Sequence, residues 1–319
     1  MHHDFYRGKA LRAEVRTRGR MKSVIDTDEA MRWDRTQIDL RHQLKASSPA
    51  IWCMRVLTNF GVAPQISAAL LPVLLHVEAL VYRGDFEYED AQLEGKSAEV
   101  DPEWRYGIEE ILRTYEINTP EVLGALTDLQ DYFQLESAIM EGREPLDATL
   151  IERTCYLRCS GGTLLLRVGC ALAEIDYDEH LFTLIGHMSA HDEISTDLPS
   201  YQQDIDEGQF NVYRLATWVY GPDTAEINLG RRADRIIFDL KNDVRRADRK
   251  TLAQFAGIIP PITPWDPRLP SVIQHITPRA ILARMVIARI GYHEHSHPLT
   301  FPAPNSDTPP RRRHAAAPR

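Results

Sequence analysis

The sequence predicts an all-α fold, and three observations carry that prediction. Apolar residues recur at helical spacing along most of the chain, and alternating patterns bounded by turns are scarce. Asp101-Pro102-Glu103 and Thr119-Pro120-Glu121 each set a capping residue, a proline and an acid in the order favoured at a helix start. With 319 residues and 43% apolar content, the chain can fill the core of one large helical domain.

In chain order, Thr27 to Leu44 is strongly charged with Met31, Ile38 and Leu40 on one side, and reads as an exposed amphipathic helix. Gln65 to Val81 is more apolar and reads as a central, buried helix. The two Pro-Glu starts open helices ending near Tyr115 and near Glu141. Leu146 to Glu174 reads as a long helix that breaks at Gly161-Gly162, because successive glycines weaken a helix interior. His180 to Glu207 continues the pattern with a bend before Pro199. Ala225 to Asp248 sets Ile227, Ala233, Ile237, Leu240 and Val244 on a buried face. Twelve of the 20 prolines lie from Pro260 onward, so Gly257 to Pro270 is expected to be a proline-stiffened loop before a last helix near Ile281 to Ile290. The domain then spans residues 21–300, between a flexible basic arm over 1–20 and a disordered Pro/Arg-rich tail over 301–319.

A net charge of −9 and a pI near 5.8 argue against nucleic acid as the main partner, since phosphate binding draws on clustered Lys and Arg. The 4 cysteines form no CxxC pair and read as reduced thiols packed in helices, which sets the expectation of a cytoplasmic protein. The apolar run Ala68 to Val81 is interrupted by Pro72, His76 and Glu78 and is shorter than the ~20 residues of a spanning helix, so no membrane span is expected. Met1 to Arg20 has no apolar stretch of the kind a secretory signal needs.

The chemistry concentrates in Asp192 to Gly208. On a helix, residues four apart share a face, so Thr196, Ser200 and Asp204 can converge oxygen ligands on one point. Hard oxygen donors suit Mg²⁺, which keeps waters and binds substrate phosphates. By spacing alone, a capped, acidic, solvated helix start is the favoured reading of the same stretch.

Asp197-Leu198-Pro199-Ser200-Tyr201, followed by Asp204 and Gly208, resembles the second metal motif of class I terpene synthases, N-D-L-x-S-Y-x-x-E-x-x-x-G. Thr196 departs from the expected Asn or Asp, and Gln203 stands where a basic residue is common. Upstream, Arg158 and Gly162 are similar to the family's diphosphate-sensing Arg and the Gly that follows it at a helix break. An Arg suits that task because its planar fork binds phosphate oxygens bidentately. The family's aspartate-rich first motif has a degenerate counterpart after the apolar helix. There Glu89-Asp90-x-x-x-Glu94, or alternatively the pair Asp85 and Glu89, would supply metal ligands from an acidic loop. The Asp128, Asp131 and Glu136 cluster reads instead as the exposed face of its own helix.

The resemblance implies a single-domain helical bundle of the class I isoprenoid synthase type, acting on a small-molecule prenyl diphosphate with Mg²⁺, or Mn²⁺ in its place, as a monomer or homodimer. It assigns Arg158, Ser200 and Asp204 to catalysis and Arg158 and Gly162 to the diphosphate. It assigns Thr196, Ser200, Asp204, Asp85, Glu89, Asp90 and Glu94 to metal. Phe60, Tyr82, Tyr156 and Trp218 are aromatic candidates for the hydrocarbon pocket. An elongating or head-to-head prenyltransferase of the same fold is the nearest alternative. From another class, a non-catalytic isoprenoid-binding relative or a metalloprotein using His187 and His191, four apart on a helix, competes.

Overall fold

The computed structural model describes residues 36–97, 100–259, 278–296, 298–305 and 309. Among them are eleven α-helices and no strand, and the fold is all-α and single-domain. In order they are α1 (Leu40–Asn59), α2 (Pro64–Glu94), α3 (Glu103–Thr114), α4 (Pro120–Met140), α5 (Ala148–Arg158), α6 (Ser160–Leu172), α7 (Glu179–Asp206), α8 (Val212–Tyr220), α9 (Pro222–Arg246), α10 (Arg249–Ile258) and α11 (Arg279–Ser296).

Side-chain caps explain where most of these helices begin. Asp39 accepts the His42 amide and the His42 ring accepts from the Asp39 amide, so α1 opens on a reciprocal capping box. The charged stretch before it is therefore not one helix: 37–39 are non-helical, and residues 27–35 of that expectation lie outside the described residues. Thr119, Asp147, Asp178, Asn211 and Asp248 cap α4, α5, α7, α8 and α10 more simply, each side chain accepting a first-turn amide without the reciprocal bond. The second Pro-Glu start falls where expected, with Thr119 as the cap; the first opens at Glu103 with Pro102 at the cap position and no side-chain cap, so Asp101 does not cap it, and α7 runs unbroken through Pro199.

Several boundaries differ from the sequence expectation, each for a local reason. The central helix does not end at Val81: α2 continues to Glu94 and closes on Gly95 in the left-handed region at φ 70°, so the acidic segment is helix rather than loop. The break expected at Gly161-Gly162 falls earlier, at Cys159. There the Ser160 hydroxyl donates to the Leu157 carbonyl and competes with the helical ladder. On α9 the buried stripe is Ala225, Leu229, Ala233, Ile236, Ile237, Leu240 and Val244, which leaves Ile227 exposed. The last helix is longer than expected, and Gly257 and Ile258 end α10 rather than open the proline loop. Of the expected disordered tail over 301–319, residues 301–305 pack on the second core, with Phe301 against Tyr213 and the Asn305 amide donating to the Tyr201 hydroxyl at 3.0 Å. The arm over 1–20, the loop from 260 and the tail from 310 lie outside the described residues.

The buried side chains form two apolar cores. The first gathers α1, α2, α3, α6, α10 and α11, and the second gathers α5 and α8. The long helices α4, α7 and α9 serve both. On α7, for example, Leu181 to Ile185 enter the first core, and Ala190 to Tyr201 enter the second. The α5–α6 break and the carboxylates described below lie along the seam between the cores. By length and composition α2 would suffice to cross a membrane, which the shorter sequence estimate missed, yet it packs as the central helix, with half of its apolar window buried.

Gly84 fixes the rotation of α2 about its axis. A Cβ there would stand 2.6–2.9 Å from ring carbons of Trp104 on α3, a side chain with no exposed surface. Gly84→Ala is expected to lower stability by about 1–3 kcal/mol through overpacking. Gly124→Ala, on α4 with open space around the added methyl, should be neutral or stabilising by up to ~1 kcal/mol. Urea unfolding midpoints check the pair, and equal midpoints would contradict the α2–α3 contact.

Candidate functional site

The turn of α2 set by Gly84 presents a polar stripe on an otherwise apolar helix. Glu78, Tyr82, Asp85 and Glu89 are spaced four, three and four apart and so lie on one face. Across from them stand Tyr132 and Glu136 on α4, Arg158 at the end of α5, and Glu193 and Asp197 on α7, and the charges of these groups act on one another. Asp85, Glu136, Arg158 and Glu193 are enclosed by protein on nearly all sides, yet each keeps accessible surface, 24% of the side chain for Arg158 and 30% for Glu193. Groups that are surrounded but still reached by solvent line a recess.

Arg158 is the centre of that recess. Its Nε stands 2.9 Å from Glu193 Oε2 in an ion pair, and its Nη1 donates to Asp197 Oδ2 at 2.6 Å. Its guanidinium carbon lies 5.7 Å from the Phe210 ring centroid. Burial opposes its charge, but the carboxylates of Asp197, Glu193 and Glu136 outweigh burial and hold it protonated. Asp197 Oδ2 also accepts the Val212 amide at 2.7 Å, so the same carboxylate anchors the start of α8. Asn211 completes the anchor: its Nδ2 donates to the Asp197 carbonyl at 2.7 Å and to Asp204 Oδ2 at 2.8 Å, and its Oδ1 caps α8.

The carboxylates outnumber their partners. Desolvation pushes Asp85 up to about 7, with Glu89 and Glu136 adding repulsion against the pull of Lys45 and Arg158. Burial raises Glu89, Glu136, Glu193 and Asp197 as well. Glu136 is bonded by the Tyr132 hydroxyl. Glu78 is the extreme case: burial, then Asp85, lifts it to about 8, and its Oε2 has no hydrogen-bond partner. An excess of buried carboxylate oxygens over protein cations is the donor chemistry that suits a hard divalent cation. Among the described residues, no three His, Cys, Asp or Glu side chains stand close enough together to hold one already.

The sequence-derived candidates divide accordingly. Asp85, Glu89 and Arg158 come together at the recess, and Tyr82 lies with them. Ser200 and Asp204 are joined by a 2.6 Å hydrogen bond and reach Asp197 through Asn211. Thr196 is exposed and donates back to the Asp192 and Glu193 carbonyls of its own helix. Asp90 and Glu94 turn outward because α2 continues as helix. Asp90 borders a groove of about 540 Å³ on the outer face with Arg41, His42 and Phe86, and Glu94 pairs with Lys96. Gly162 is exposed within the first turn of α6.

The aromatic candidates also separate. Phe60 lies at the far end of the α1–α2 hairpin from Tyr82, and Trp218 stacks under Arg214. The Tyr156 hydroxyl meets His187 Nδ1 at 2.7 Å, and His187 Nε2 meets Asp243 at 3.1 Å. That network engages His187 away from His191, which stands 4.0 Å from Asp192, so the two histidines do not share a ligand point.

Glu136 and Glu78 were missed as site residues. Asp128 and Asp131 are exposed as expected, but Glu136 turns inward, and the signal was its i,i+4 relation to Tyr132. For Glu78 the signal was a lone acid inside an apolar run. No protein-family model matches the chain, and no curated protein and no solved structure matches it.

The Glu78 carboxyl links stability to pH. Burial holds this carboxyl up at about 8, above its ordinary value of 4.5, so the native state keeps a proton that the unfolded chain loses. Stability present below pH ~4.5 is therefore lost as pH rises toward ~8, after which this group contributes no further change. Glu78→Gln should flatten that decline and gain roughly 2–5 kcal/mol over the parent at pH 8 relative to pH 4. Denaturant unfolding at the two pH values checks it, and parallel pH profiles would contradict a buried neutral carboxyl.

Proposed function

We propose that this chain is a helical-bundle enzyme of the class I terpene synthase type, which ionises a linear allylic prenyl diphosphate. One observation carries the reading: the Asp85 and Glu89 pair of α2 faces Arg158, itself held by Glu193 and Asp197 of α7, across one recess at the seam of the bundle. Oxygen-donor carboxylates on one wall and a fixed guanidinium on the other are what a metal-bound diphosphate needs.

In this reading Asp85 and Glu89 would hold Mg²⁺ from α2, and Ser200 and Asp204 are the candidates on α7. A bound Mg²⁺ supplies Lewis-acid neutralisation of the leaving diphosphate. Arg158 binds phosphate oxygens, and its tether to two carboxylates keeps the guanidinium oriented before substrate arrives. The allylic C–O bond breaks with its electron pair leaving on the diphosphate, and loss of a proton from the carbocation ends the reaction as an alkene. Thr196, Asp90, Glu94 and Gly162 drop out of this arrangement.

The test is incubation of the purified chain with ten-, fifteen- and twenty-carbon allylic diphosphates and Mg²⁺, with diphosphate release and extracted hydrocarbon as readouts. One of the three should be turned over, EDTA should abolish the reaction, and Asp85→Asn should cost on the order of 100-fold or more. Asp204→Asn should slow turnover and also lower the melting temperature, since Asp204 accepts from both Ser200 and Asn211. Asp206→Asn, at an exposed residue bonded to Gln202, should be silent in both. No release from any substrate, or undiminished release in Asp85→Asn, would overturn the reading.

A further inference from the structure

Beyond α11, residues 298–305 are neither helix nor strand, and they lie across α7, α8 and α9. Leu299 and Phe301 are half-buried against the second core with Thr300 exposed between them, the two-residue alternation of an extended chain laid on a surface. Phe301 is the anchor. Its ring stands edge-on to Tyr213 of α8 with centroids 5.4 Å apart, and Tyr213 in turn lies 4.9 Å from Tyr201 of α7. Gly230 of α9 faces the same ring, where a Cβ would meet it at 3.8 Å. The backbone of the segment is held as well. The Tyr213 hydroxyl donates to the Pro302 carbonyl at 3.3 Å, and the Asn305 amide donates to the Tyr201 hydroxyl at 3.0 Å. Pro298, Pro302 and Pro304 have no N–H and a fixed φ, so the segment gives up little freedom and strands few donors when it is seated. Aromatic side chains that grip a proline-containing strand by ring contact, with hydroxyls bonded to its backbone, are the chemistry of peptide-recognition grooves.

We propose that this α7–α8–α9 surface is a peptide-docking groove, that residues 299–305 are its ligand in cis, and that a partner polypeptide bearing an extended aliphatic-x-aromatic-Pro segment can take their place. The seated segment states the specificity: an aliphatic side chain as at Leu299, an aromatic anchor as at Phe301, and a proline as at Pro302 whose carbonyl is bonded. Thr300, Ala303 and Pro304 are exposed and free to vary. Tethering sets the affinity. A strap joined to the body competes at an effective concentration on the order of millimolar, so a peptide in trans binds the parent weakly and binds well only where the strap is weakened. The other role open to the segment is permanent packing, as a last piece of core that never leaves. The two roles differ in what a loosened strap exposes: a binding site in one, only a less stable protein in the other. This groove makes no use of the Arg158 recess, so its occupancy is independent of the proposed activity.

The experiment is fluorescence anisotropy of a labelled peptide with the sequence of residues 298–305, titrated with the full chain and its variants. Phe301→Ala removes the anchor from the strap and leaves the groove intact, so the peptide should bind that variant at least about tenfold more tightly than the parent. Phe301→Leu keeps an apolar anchor and should fall between the two, and it carries the test if the alanine variant does not fold. Adding Tyr213→Phe to either variant deletes the bond to the Pro302 carbonyl and should weaken the peptide about fivefold. Circular dichroism and a cooperative melt establish that each variant is folded. Equal affinity for the parent and the folded Phe301 variants, or affinity unmoved by Tyr213→Phe, overturns the inference, because the peptide then binds elsewhere. Binding by no folded variant overturns it too. The segment is then a permanent piece of core if the parent stays monomeric, or is exchanged between copies of this chain if the parent dimerises with concentration.

Discussion

The ion pairs of Arg158 with Glu193 and Asp197 are the constraint on which the middle of the molecule depends. A guanidinium enclosed by protein and two carboxylates raised by desolvation are each expensive alone, and removing one partner of such a set typically costs 3–5 kcal/mol when fully buried. Partial exposure of Arg158 and Glu193 moderates that figure here. The pairs also organise backbone. Asp197 carries the first amide of α8, and Arg158 closes α5 immediately before the break at Cys159. One charge centre therefore sets the relative placement of α5, α7 and α8.

Around that centre the fold accumulates negative charge that it does not neutralise. Glu78, Asp85, Glu89 and Glu136 are all raised by desolvation, and a core built for stability alone would have replaced them with apolar side chains of similar volume. Their position is systematic, on one stripe of α2 and the facing turn of α4, at the seam where the two apolar cores meet. Buried, unneutralised carboxylates in a solvent-reached recess are a standing cost, and such costs concentrate where chemistry needs them.

Much of the fold was legible in the sequence because its signals are local. The cap at Thr119 and the apolar periodicity of α2 and α9 depend on neighbours within a turn or two. The errors lie where a boundary is set by tertiary contact. The segment Gly84 to Glu94 reads as an acidic loop, but Trp104 packs against Gly84, Tyr88 packs beside Phe133, and the helix runs on. That continuation decides which acids face inward, so Asp85 and Glu89 joined the recess and Asp90 and Glu94 left it. Arg158 and Ser200 were recognisable by motif spacing. Glu136 was not, because its one local signal, the i,i+4 relation to Tyr132, does not tell that α4 packs against α2 at that turn. Thr196 illustrates the converse: the spacing was right, but an exposed threonine hydroxyl on a helix finds its own i−4 carbonyl first.

The central claim is that the recess around Arg158 holds a diphosphate through a divalent cation bound by Asp85 and Glu89. Crystals grown with Mn²⁺ and inorganic diphosphate test it most directly, because Mn²⁺ is located by its anomalous scattering without reference to any assumed ligand. The account predicts an anomalous peak within coordination distance of Asp85 and Glu89 carboxylate oxygens, with phosphate density between that peak and Arg158. Mn²⁺ located only on the outer face at Asp90 or Glu94, with Arg158 still bonded to Glu193 and Asp197 and no phosphate beside it, would contradict the account.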